Sequence, residues 1–224
     1  LQRYYEFRYT PWLFGTKEDI AELFAITPTF SMSQTATKLH QPNDSYEQFS
    51  EIGPTTVRIA VAKYREPGLT AMLPSLSTTK SNWLSGRDRH EELTIDGVYL
   101  YDRQKYLGWL SYHEIPGIQW VMLETNRHYL LLKSDGKLQV AFYYESPKIK
   151  KSYRIVDGRP KYSIQVELQG YISQIVEDMP EEVMIQKSEE KIEQEIRATY
   201  EAGLKHQADL LVLRNVIYRK DVRK

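Results

Sequence analysis

Cysteine is absent from the 224 residues. That excludes disulfides, thiolate nucleophiles and cysteine-ligated zinc. It leaves the redox compartment open, because a chain without thiols suits either side of a membrane. Long apolar runs are missing too: no stretch approaches the roughly 18 consecutive apolar residues of a bilayer-spanning helix. Charge of one sign is also lacking. Lys and Arg total 30 and so do Asp and Glu, so no global field recruits nucleic acid or an anionic surface. The 11 glycines are scattered singly, which rules out a glycine-rich phosphate cradle. No G-x-S-x-G elbow, H-E-x-x-H helix or Walker loop occurs. The first residue is Leu1, with no basic-then-apolar leader after it. We read the chain as a portion of a longer protein whose targeting segment lies outside it.

Aromatics are what the chain has in excess: 17 Tyr, 4 Trp and 6 Phe. Such rings can form sugar- or partner-binding surfaces, since a tyrosine supplies both area and a hydroxyl. They also have high strand propensity, so a β-rich core accounts for many of them. The 41% hydrophobic and 27% charged content is that of a soluble globular protein with one large domain or two small ones.

The first 91 residues read as a smaller helix-containing segment. In TKEDIAELFAI, Thr16 stands as the cap, and Ile20, Leu23 and Phe24 form one apolar face. In TTVRIAVAKYREPG, Val57, Ala60, Val61 and Tyr64 follow helical spacing, stopped by Pro67 and Gly68. LTAMLPSL is a short apolar piece ending at Pro74. Ser75 to Glu92 is polar and turn-rich, and it reads as a linker or long surface loop.

Residues 92–224 read as an α+β domain, an antiparallel β-sheet packed by a long C-terminal amphipathic helix. Two strands flank a tight turn at Asp102 to Gln104. Asp135-Gly136 and Asp157-Gly158 are hairpin signals. Tyr162, Ile164, Val166 and Leu168 alternate with polar residues, so one face of that strand is covered. From Ser188 a helix carries Ile192, Ile196, Tyr200 and Leu204 as its apolar stripe and ends at Gly203 and KHQAD. LLVLRNVIYR reads as a second, shorter helix.

Catalytic candidates are few. His90 lies beside Glu91 and Glu92 in a polar stretch, with no second histidine near it, and a metal needs several convergent ligands. His113 and Glu114 are neighbours on one helical turn and so do not face a common atom. Glu114 has a structural use: with Ser111 it makes a capping-box spacing. His40 and His206 are isolated polar positions, and His128 flanks a strand. No catalytic residue, metal or cofactor is assigned, and the chain is expected not to be an enzyme. Charge is uneven locally. PKIKKSYR carries Lys148, Lys150, Lys151 and Arg154 without an acid, while Glu177 to Glu201 carries nine acids against three bases. The basic strand is a candidate interaction surface; solvated faces are the plainer account of both.

Three blocks carry a resemblance. GVYLYDRQKYLGWLSYHEIPGIQWV resembles a pattern of aromatic strand, polar turn, Gly-Trp-Leu, short acidic helix and a Gly-Leu-x-Trp strand. GRPKYSIQVELQGYISQI resembles a Pro-Lys-aromatic entry into a long strand. EEKIEQEIRATYEAGLKHQADLLVLRNVIYRK resembles a final helix followed by Ala-Asp and a short apolar segment. REPGLTAMLPSL adds a Pro-Gly, Leu-Pro segment upstream. Together, from about Arg65 to Lys220, they resemble the Ger(x)C spore germination proteins, the C subunits of nutrient germinant receptors. The resemblance implies a non-catalytic scaffold that associates with the membrane A and B subunits. It also implies a peripheral lipoprotein on the outward face of the spore inner membrane, held by a lipid anchor outside this sequence, with no nucleic acid as partner. Gly108, Trp109, Ser111, Glu114 and Trp120 are then a structural signature, with both tryptophans as buried core anchors. The alternative is a carbohydrate- or peptidoglycan-binding module using exposed Tyr and Trp rings, recognisable by a row of coplanar rings.

Overall fold

Two Asp-Gly pairs set the hairpins of the C-terminal half. In each, both central residues have positive φ: Asp135 49° and Gly136 76°, Asp157 51° and Gly158 73°. This is the type I′ turn, whose twist matches that of the strands it joins. The structure, a computed structural model, describes residues 10–26, 37–43, 46, 52–85, 88–122 and 127–221. The chain divides into two units, one drawn from Leu1–Tyr46 and Ile52–Tyr112, the other principally from His113–Lys224. The boundary expected between 91 and 92 falls inside a strand.

The first unit holds helices α1 (Ile20–Ala25) and α2 (Val57–Arg65) and strands β1 (Ala71–Ser85), β2 (Asp88–Asp102) and β3 (Lys105–Ser111). The strands form an antiparallel sheet in the order β1-β2-β3. Helix α1 starts one turn later than its sequence suggests. Asp19, not Thr16, is the cap, its carboxylate accepting from the Ala21 and Glu22 amides at 2.7 and 3.4 Å. Only Leu23 of the expected apolar face is buried; Ile20 and Phe24 are 63% and 67% exposed. Helix α2 is as expected, with Thr56 as its cap.

The expected loop from Ser75 to Glu92 is instead a long antiparallel ribbon. Pro74 does not end an element; it lies within β1, paired with Val98. The ribbon is rich in Ser and Thr, so it lacks apolar alternation; continuous backbone pairing defines it, and Leu76 is buried at its base, in a cluster with Leu23 and Leu93. Two register shifts interrupt it, one at Ser75/Leu76 and one between Thr79 and Trp83. The β2–β3 turn is as expected, with Arg103 and Gln104 at φ 47° and 65°.

The second unit begins within a single 3-10 turn, Tyr112–Glu114, followed by a one-turn helix α3 (Ile118–Val121). Strands β4 (Arg127–Ser134), β5 (Lys137–Val156) and β6 (Arg159–Ile175) follow in the sheet order β4-β5-β6. Helix α4 (Glu181–Lys205) and helix α5 (Arg214–Asp221) close the chain. The Gly-Ile-Gln-Trp segment expected as a strand is therefore helix α3. Gly117 explains why it can dock where it does: a Cβ there would lie 2.4 Å from the Glu195 carbonyl oxygen and the Ile196 amide of α4. Its amide donates to Thr199 Oγ1 at 2.8 Å.

Helix α4 starts seven residues before the expected Ser188, at Glu181. Its buried residues are Met184, Ser188, Ile192, Thr199, Ala202 and Gly203. The expected stripe departs from this set as it proceeds: Ile192 is buried, but Tyr200 and Leu204 are 41% and 56% exposed. Steps of four residues overshoot each turn by about 40°, so an unbroken i+4 series walks off the buried face. The core joins Trp120 and Val121 of α3, Leu130 and Leu132 of β4, Val140 and Phe142 of β5, Met184 and Ile192 of α4, and Leu211 and Leu213. Strand β6 shows the period of two expected from its sequence, with Tyr162, Ile164, Val166 and Leu168 turned inward.

Candidate functional site

Among the described residues, strand β5 pairs with β4 up to Glu145, and from Lys148 to Val156 it pairs with β6 alone. That distal ribbon carries the basic candidates. Alternation along a strand puts Lys148, Lys150 and Arg154 on one face and Lys151 on the other. The structure agrees, with Lys148, Lys150 and Arg154 exposed and Lys151 half-buried. Lys151 Nζ donates to the Val121 carbonyl at the end of α3, 3.1 Å away. Burial lowers its pKa, and Asp209 opposes that shift. The expected cluster of four cations thus separates into three exposed ones and one that ties β5 to α3.

A cation missed in the sequence completes the exposed row. The Asp157-Gly158 turn sets Arg154 opposite Lys161. Counting outward from the two turn residues would have found this pair, because a type I′ hairpin fixes its register. Lys148 pairs with Glu167 at 3.1 Å, with both side chains well exposed, so the bridge contributes little. Among the described residues, Lys150, Arg154 and Lys161 have no carboxylate partner.

The signature residues take structural positions in two different units. Gly108 has φ 142°, a backbone that favours glycine, where the β2–β3 register slips between Leu100 and Tyr101. Trp109 is half-buried rather than buried: the Lys17 ammonium sits 3.2 Å from its ring centroid, while its indole nitrogen finds no hydrogen-bond partner among the described residues. Ser111 ends β3 opposite Gly97, and Glu114 closes the exposed 3-10 turn. Trp120 is 0% exposed, and its indole N–H donates to Glu195 of α4 at 2.7 Å.

The histidines do not converge. The His90 backbone lies on β2 opposite Trp83, His113 is exposed on the 3-10 turn, and His40 and His206 stand apart. No group of three His, Cys, Asp or Glu among the described residues could hold a metal ion. His128 is the unexpected one. It lies on β4, 1% exposed, with its ring 5.0 Å from that of Trp120. Neither ring nitrogen has a hydrogen-bond partner among the described residues, and burial lowers its pKa to about 4.

A row of tyrosines crosses the second sheet: Tyr129 on β4, Tyr143 on β5 and Tyr171 on β6. Their rings meet at 71° and 32°. That is cross-strand aromatic packing rather than a coplanar platform. Among the described residues no helix is long and apolar enough to cross a membrane.

Comparison with known proteins agrees with this architecture. Residues 96–224 match the family model described as spore germination B3/GerAC like, C-terminal. Residues 1–78 match that of the spore germination protein N-terminal domain. No curated protein matches at a significant level. Among solved structures, the chain is similar to the crystal structure of the GerBC protein, at a TM-score of 0.69 and 17% identity over 96% of this chain. It spans 60% of that protein's chain.

Proposed function

The chain belongs to the spore germination B3/GerAC-like family, and from that premise we propose that it is a non-catalytic subunit of a spore germinant receptor. It serves as a scaffold on which the membrane A and B subunits assemble. The family is one of germination proteins rather than a recognised enzyme class. The protein works at the outward face of the spore inner membrane, tethered by a lipid anchor supplied outside this sequence.

One observation carries the scaffold role. Lys148, Lys150, Arg154 and Lys161 are exposed along a two-stranded ribbon, three of them without a carboxylate partner. Unpaired cations on a rigid element give an interface its register and its rate of encounter, and they attract acidic partner surfaces in a salt-sensitive way. The signature residues support the same view. Trp120 and Gly117 are occupied in fixing α3 to α4, and Gly108 in turning a strand.

The test reverses Lys148, Lys150 and Arg154 to Glu together and leaves Lys151 in place, because Lys151 is a packing residue. The expected result is loss of co-purification of the membrane subunits from detergent extracts, most complete at low salt where the reversed charges repel an acidic partner unscreened, with an unchanged melting temperature. Undiminished association at every salt concentration would overturn the proposal.

A further inference from the structure

A sheet of three strands is wider than one helix. Strands lie about 4.8 Å apart and a helix is about 10 Å across, so a helix centred on two strands leaves the third part-covered. Unit two shows this. The inward residues of β4 and β5, Leu130, Leu132, Val140 and Phe142, are 0–6% exposed. On β6, Val166 and Leu168 are only half-buried, and Ile172 and Ile175 are 40% and 49% exposed. A groove of about 390 Å³ runs there between β6 and the first half of α4. Its walls are mostly apolar, and on the helix side Ile185 is 50% exposed.

Three acids of α4 are engaged away from the groove: Glu193 with Arg197, Glu195 with Lys191 and Trp120, Glu190 with Gln186. Glu181 and Glu189 line the groove, and neither has a cation partner among the described residues. They stand two turns apart, about 12 Å along the helix. Ser188, also in the wall, is already bonded to the Met184 carbonyl at 2.7 Å. The groove therefore offers an apolar floor with an unpaired carboxylate toward each end.

We propose that this groove docks an amphipathic helix of a partner protein. That helix lies beside α4 over β6, an apolar stripe on Ile172 and Ile185 and two basic residues about eight positions apart facing Glu181 and Glu189. A helix fits better than an added strand, because what is uncovered is the inward face of β6 rather than its edge alone. The docking is separate from the basic ribbon and does not depend on the germinant-receptor assignment.

The test uses the 224-residue chain and a labelled synthetic helical peptide of about 18 residues, with a leucine stripe and two lysines about eight positions apart. Fluorescence anisotropy should show saturable binding that weakens with salt. Replacing both lysines by glutamate should weaken it at least about tenfold, and this comparison needs no change to the protein. The Glu181→Gln, Glu189→Gln pair should weaken lysine-peptide binding about three- to tenfold. Ile185→Asp, at a half-exposed position, should abolish it with the melting temperature retained. Equal affinity for the lysine and glutamate peptides, or full binding by folded Ile185→Asp, would overturn the proposal. So would sedimentation showing a dimer that Ile185→Asp dissociates, which would assign the face to a second copy.

Discussion

Trp120 and His128 occupy one small volume of the second unit, their rings 5.0 Å apart, yet they relate to water in opposite ways. Trp120 is fully buried with its polar atom satisfied by Glu195. Trp120→Ala should cost about 3–5 kcal/mol, the range for a large core aromatic. Trp109→Ala should cost clearly less, since that ring is only half-buried. Equal losses in denaturant melts would show that half-burial misjudges Trp109. His128 is buried with no partner among the described residues for either nitrogen, so its neutral form suits the site. Its folded pKa of about 4 lies below the ordinary 6.5. The unfolded chain thus takes up a proton before the folded one does. The stability this provides is whole above about pH 6.5 and disappears as pH falls toward about 4, a change on the order of 3 kcal/mol. His128→Leu should flatten that acid limb in urea melts between pH 7 and 4, and an unchanged limb would exclude His128 as its source.

At the scale of elements, the turns were the most legible part of the sequence, because their chemistry is local. Asp-Gly specified both hairpins of the second sheet, and period two gave the inward face of β6. The β1–β2 ribbon was not legible, since a Ser- and Thr-rich run has no apolar rhythm to read. The α4 stripe was half legible: Ile192 belongs to it, but the buried set follows the 3.6-residue turn rather than steps of four. Lys151 parts from the other cations because strand parity, not the sign of charge, sets which face a side chain takes, and the burial of His128 is invisible in a sequence where one histidine beside a strand carries no motif. The β2–β3 turn departs from its ideal chemistry, with Arg103 and Gln104 both left-handed and neither a glycine. Left-handed backbone costs an ordinary residue about 1 kcal/mol. Gln104→Gly should therefore raise stability by roughly 0.5–1 kcal/mol, read as a higher urea midpoint. The Tyr64 hydroxyl bonds the Gln104 carbonyl, a backbone group the change retains. A lower midpoint would mean that the side chain does more than its exposure suggests.

For the molecule as a whole, each sheet is a meander in which every strand pairs with its neighbour in sequence. Zipping such ribbons closes only short loops, which is fast. The bond from the Gly117 amide to Thr199 spans 82 positions and can form only when α4 swings back onto α3. The order of assembly in the second unit follows: strands β4 to β6 first, helix docking last. Thr199→Ala removes that late contact, so in stopped-flow chevrons it should speed unfolding and leave the refolding limb where it is. Val140→Ala, at the centre of the meander, should slow refolding instead. The joint between α3 and α4 is then the first to open when the unit unfolds and the last to close when it forms.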